Sequence, residues 1–145
     1  MKKLVAKTST TIHAPVHNVW QALTDPKLIK QYLFGTNTVS DWREGSSITY
    51  SGEWEGKSYQ DKGKIVKMIP DKLLHTTYLS SMSNKEDKPE NYANVIYEIE
   101  PQNNGSLVTI TQDNIENEEQ VEHMKQNWNM VLSGMKKMLE DGSAS

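Results

Sequence analysis

The chain contains no cysteine. That excludes a disulfide framework, a thiolate nucleophile and a zinc–thiolate site. It has no excess of basic charge: 16 Lys plus Arg stand against 19 Asp plus Glu, for a net charge of −3. No segment forms a basic stripe, which argues against a nucleic-acid partner. No apolar run approaches a membrane span, and the Leu4-Val5-Ala6 stretch after Met1-Lys2-Lys3 is too short for a signal-peptide core. The expectation is a soluble cytoplasmic protein with no membrane partner. Phenylalanine is nearly absent too, one residue against four Trp and six Tyr. Trp and Tyr carry an N–H or O–H that needs a partner when buried, so they suit a half-wet cavity wall, an interface or the edge of a sheet.

What is present is a pattern of short alternating segments closed by one long helix. At 145 residues the chain fits one domain, taken as 1–145 with 141–145 as a frayed tail. Lys3 to His13 reads as a first strand. Ala14-Pro15 opens a helix with Pro15 at its first position, and Val16, Val19, Trp20 and Leu23 form its apolar face. Asp25 is expected to cap a second short helix, with Pro26 in its first turn and Gly35 at its end. Strands follow over 37–42, 48–54, 58–69, 73–80, 93–99 and 108–112, with a hairpin signal at Asn103-Asn104-Gly105. Ser81 to Asn91 is a polar loop, the best candidate for a mobile segment near a site.

From Asn117 to about Glu140, Val121, Met124, Trp128, Val131, Leu132, Met135, Met138 and Leu139 recur at steps of three and four. That is one face of a helix roughly 36 Å long. Asn117 and Gln120 resemble a capping box, and Glu118 and Glu119 favour the positive helix end, which accounts for the acidic run without a metal. The order β, α, α, about six further strands and one long helix is an α+β pattern.

Several stretches carry a resemblance. Ala14-Pro15 with Val19-Trp20-Gln21-Ala22-Leu23-Thr24-Asp25-Pro26 resembles the opening helix of the START-like, helix-grip superfamily, also called SRPBCC. Asp41-Trp42-Arg43-Glu44-Gly45, Gly63-Lys64-Ile65-Val66, Pro70 and Leu73-Leu74 are similar to its activator of heat shock protein 90 ATPase homologue branch. So are Val95-Ile96-Tyr97-Glu98-Ile99, Val108-Thr109-Ile110-Thr111-Gln112 and Asn127-Trp128. The resemblance implies a curved antiparallel sheet of about six or seven strands wrapped around the long C-terminal helix, with two short helices after the first strand. It also implies a cavity between sheet and helix that holds hydrophobic or amphipathic small molecules in relatives. The eukaryotic co-chaperone that names the branch joins such a domain to a second, N-terminal chaperone-binding domain. This chain begins at its first strand, so ligand binding is set ahead of chaperone activation or a stress-response partner.

For chemistry, no HExxH, CxxC, GxSxG or phosphate-loop pattern occurs. No metal, cofactor or catalytic residue is expected. His17 and His123 fall on polar helix faces, and His13 and His75 lie at strand positions that can face outward. A cyclase- or hydrolase-type enzyme using dispersed cavity residues is a further alternative. The expected cavity wall is Tyr50, Trp54, Tyr59, Tyr78, Tyr97, Ile110, Met124, Trp128, Leu132 and Met135, with Asp61 and Gln112 as polar members. A carboxylate in such a cavity would be a general acid or base. The plainer reading, which is preferred, has Asp61 facing solvent after a bulge near Gly63, or paired with a lysine. The plainer reading of the wall is a filled core.

Overall fold

The computed structural model describes residues 4–33, 35–54, 56–80 and 86–140. The side chain of Trp54 and residues 81–85 and 141–145 lie outside the described part, and so do the expectations placed on them. Seven strands form one antiparallel sheet: β1 (Leu4–Ile12), β2 (Asn37–Ser40), β3 (Ser47–Trp54), β4 (Lys57–Ile69), β5 (Leu73–Tyr78), β6 (Ala93–Gln102) and β7 (Gly105–Ile115). Their order across the sheet is β1-β7-β6-β5-β4-β3-β2. Hairpins join β2 through β7 in sequence, and β1 pairs with the last strand. Among the described residues three α-helices, α1 (Val16–Thr24), α2 (Pro26–Tyr32) and α3 (Glu118–Glu140), and a 3₁₀ turn at Pro89–Asn91 accompany the sheet. This is the α+β helix-grip architecture that the element order and the resemblance imply.

Local chemistry fixes the boundaries. Asp25 caps α2, its carboxylate accepting the Lys27 N–H at 2.9 Å. Asn117 does the same for α3, its side-chain oxygen accepting the Gln120 N–H at 2.9 Å. Pro15 stands one position earlier than expected: its backbone is extended (ψ 153°), so it is the residue before the helix and Val16 is the first inside it. The strand over 37–42 is shorter than expected, because Trp42 adopts a left-handed backbone (φ 56°) that leaves the ladder after Ser40.

A helix packs beside each edge strand. α3 packs chiefly along β1: Thr8 Oγ1 donates to Asn129 Oδ1, Lys136 Nζ donates to the Thr11 carbonyl at 2.7 Å, and Glu140 accepts the His13 N–H at 2.8 Å. α2 packs against β2 at the opposite edge and also against α3. The core fills the concave side, with Ile12, Ile48, Ile65, Val95, Val108, Ile110, Leu132 and Met135 almost wholly buried.

Candidate functional site

Burial along α3 is uneven. Its C-terminal half is sealed: Val131, Leu132, Met135, Met138 and Leu139 are all buried. In its N-terminal half the same stripe, Val121, Met124 and Trp128, is only half-buried. The helix therefore closes the core at one end and is more exposed at the other.

The inner side of the fold carries aromatic side chains from four strands and two helices. The Trp128 indole meets Tyr97 of β6 edge-to-face, centroids 6.0 Å apart at 87°. Its N–H donates to Gln112 Oε1 of β7 at 2.9 Å. Tyr50 of β3 meets Tyr78 of β5 edge-to-face at 5.9 Å, and the Tyr78 hydroxyl donates to Asp61 Oδ2 of β4 at 2.5 Å. Register explains the grouping: Tyr50 stands opposite both Thr38 and Asp61, so the three share one row on the inner face. One row further, Tyr59 stands opposite Gly52 and reaches across it to Thr36, hydroxyl to hydroxyl at 2.6 Å. A Cβ on Gly52 would sit 2.7 Å from that phenol oxygen, so the crossing needs glycine.

Burial pushes the hydroxyls of Tyr32, Tyr50 and Tyr97 above the ordinary phenol range. For Tyr78, burial does the same, assisted by its bond to Asp61. Charge in a poorly hydrated setting is disfavoured, so these four phenols stay neutral. Yet Tyr50, Tyr78, Tyr97 and Trp128 retain partial solvent exposure.

Asp61 departs from one arm of the preferred expectation, exposure to solvent after a bulge. It is 8 % exposed and faces inward, not to solvent. The β4 irregularity lies between Ile65 and Lys67, two residues beyond Gly63, so the inward alternation of Tyr59, Asp61 and Gly63 is undisturbed. Ile110, Leu132 and Met135 are fully buried members of the core, not wall residues. Two residues escaped sequence reading. Tyr32, on α2, joins the aromatic group while its hydroxyl donates to the Ala22 carbonyl at 2.7 Å; a Tyr where Phe would pack equally well was the available signal. Thr38 is 4 % exposed with its hydroxyl unpartnered, and nothing in the sequence marked it.

Two open surface depressions lie elsewhere. One, of about 590 Å³, is lined at the β2–β4 end by residues including Ser51, Gly52, Tyr59 and Gln60. The other, of about 430 Å³, lies between His13–Val16 and the β6–β7 turn. Of the expected wall residues, only Tyr59 lines either one. His17 pairs with Asp71 at the surface, and His75 Nε2 bonds Asn94 Oδ1 at 2.9 Å on the outer side. Among the described residues no cluster of three or more His, Asp or Glu could hold a metal. No helix there is long and apolar enough to cross a membrane.

Residues 13–140 match the family model described as activator of Hsp90 ATPase homolog 1-like protein. The chain belongs to this family. The solution structure of ChR145 from Cytophaga hutchinsonii is 43% identical across 100% of this chain and 99% of that one, with a TM-score of 0.86. The Aha1 dimer from Colwellia psychrerythraea is 21% identical over 94% of this chain and 96% of that one (TM-score 0.74). CalU16 from Micromonospora echinospora is 19% identical over 95% and 85% (TM-score 0.69). The last two likenesses concern the fold alone. No curated protein matches the chain. This Hsp90-activator-like family membership places the chain in the START-like superfamily, and its helix-grip fold is the one described above.

Proposed function

We propose that this family member binds a small hydrophobic or amphipathic molecule between the curved sheet and the N-terminal half of α3. The observation that carries the reading is the half-buried Trp128, held by Gln112 and Tyr97 on a helix whose other half is sealed. A side chain fixed by a hydrogen bond but left partly uncovered is a preorganised surface, and preorganised apolar surface with few placed polar groups is what small-molecule sites use. Tyr50, Tyr78, Tyr97 and Met124 complete the apolar wall, with Asp61 and Gln112 as its polar members.

The test is a proton–nitrogen NMR titration with aromatic, acyl and sterol-like compounds, following the Trp indole signals. Saturable movement of Trp128 with the amides of β6 and β7 supports the site. Silence across the panel overturns it. A second reading draws on the matched family's description: a module that contacts a chaperone. Under it, partner binding survives Trp128→Ala in a folded chain, which removes the side chain on which the first reading rests.

A further inference from the structure

Asn104 is the only asparagine of the chain followed by glycine, and it stands in the two-residue turn between β6 and β7. A backbone nitrogen reaches the preceding asparagine's side-chain carbon most easily when its own residue has no Cβ to obstruct the approach. The fold keeps this pair in place: a Cβ on Gly105 would lie 2.1 Å from the Ile12 carbonyl oxygen, so the position needs glycine. Asn104 is exposed. Gln102 and Gly105 form the last rung of the β6–β7 ladder, so freeing the Gly105 nitrogen frays one end of the hairpin and leaves the sheet closed.

His13 adds chemistry to this exposure. Its Nδ1 lies 3.2 Å from the Asn104 carbonyl oxygen. A carbonyl only accepts, so the imidazole donates its Nδ1–H. That oxygen belongs to the same peptide unit as the Gly105 nitrogen, and the two share charge by resonance. A donor on the oxygen therefore stabilises the negative charge that develops when the nitrogen loses its proton. We propose that Asn104 is a self-modifying site, deamidating spontaneously through a cyclic imide with His13 assisting. The Gly105 nitrogen gives its proton to water and bonds to Asn104 Cγ; the Cγ–Nδ2 bond breaks, and ammonia leaves with a proton from solvent. Water then opens the imide at either carbonyl. One cleavage gives aspartate at 104. The other gives isoaspartate, with the backbone rerouted through Cβ and Cγ and longer by one methylene. Ser106 next door is fully buried and donates to the Ala14 carbonyl at 2.6 Å, so the longer turn meets a junction without slack.

The full chain is incubated at neutral to mildly alkaline pH, digested, and its peptides resolved by chromatography and fragment mass spectrometry. The expected result is a mass gain of about one dalton at Asn104, split between aspartate and isoaspartate forms. Asn103, in the same turn but followed by a residue with a Cβ, is the internal control and stays unmodified over that time. In H13A the reaction slows about threefold or more, the rate equivalent of one modest hydrogen bond. H13Q, which keeps a side-chain N–H donor, recovers part of the rate. A merely structural role predicts the opposite sign, since the His13 bond also pins the turn and its loss would speed the reaction. Modification of Asn104 no faster than that of Asn103 overturns the site. An unchanged or faster rate in folded H13A overturns the assistance by His13. The comparison of the two asparagines in the unaltered chain decides the site even if H13A fails to fold.

Discussion

The Trp128 indole N–H and the Gln112 side-chain oxygen, 2.9 Å apart, join α3 to the end of β7 across the open part of the fold. The bond fixes the indole against Tyr97 at a place where the helix is not otherwise sealed. Trp128→Ala is expected to abolish the small-molecule titration while costing about 1–3 kcal/mol of stability, less than a full core truncation because the ring is half-exposed. Unchanged affinity in a folded variant defeats the site.

The burial gradient along α3 makes a paired prediction. Met135→Ala, at a fully buried position, is expected to cost about 2–4 kcal/mol, and Met124→Ala under about 1 kcal/mol. Urea unfolding at matched conditions measures both. Equal losses would mean that the two halves of the helix are packed alike.

Two glycines should separate sharply. A Cβ at Gly63 would lie 1.7 Å from the Thr77 carbonyl oxygen, and backbone cannot swing aside. Gly63→Ala is expected to cost more than about 3 kcal/mol or to prevent folding. At Gly52 the obstruction is the end of the Tyr59 side chain, so Gly52→Ala should cost about 1 kcal/mol and break the Tyr59–Thr36 bond. Thermal denaturation of the two variants side by side checks the order.

Alkaline titration follows from the four buried phenols. Their folded pKa values lie above the unfolded value, so this contribution is full below about pH 10 and is lost as pH rises from there. Tyrosinate absorbance from these residues should appear together with loss of circular dichroism. Smooth ionisation of all six tyrosines in a folded chain would contradict their burial.

Glu140 behaves in the opposite sense. The Lys136 ammonium first, and the His13 N–H next, hold its carboxyl below the usual glutamate range. Its contribution is present above the unfolded pKa of about 4.3 and lost as pH falls through the folded value. Glu140→Gln should flatten the acid limb of a melting-temperature profile and leave the neutral region little changed. A parallel downward shift at every pH would assign the residue a packing role instead.

Much of this architecture was legible in the residues. Asp25 and Asn117 announced their helices because a cap is a local interaction, complete within three positions. Alternation in Ile48, Tyr50 and Gly52 announced a strand for the same reason. The family resemblance supplied the curvature of the sheet, which no local pattern encodes. What stayed hidden depended on distant partners. The stripe on α3 reads uniformly from Val121 to Leu139, and only the path of the sheet beneath it separates its sealed half from its open half. Asp61 could not be oriented without the position of the β4 irregularity, and Tyr32 could not be grouped with Tyr97 without the packing of α2 on α3.

Pairing β1 with β7 has a consequence for how the molecule is made. Leu4 finds its partner at Ile115, about a hundred residues later in the chain. At synthesis rates of roughly 5–20 residues per second, the first strand waits on the order of 5–20 seconds for the strand that completes its hydrogen bonds. α3, which covers its flank, emerges later still. During that interval a β-branched, threonine-rich segment has an open edge on both sides, and what protects it then must come from outside the finished fold.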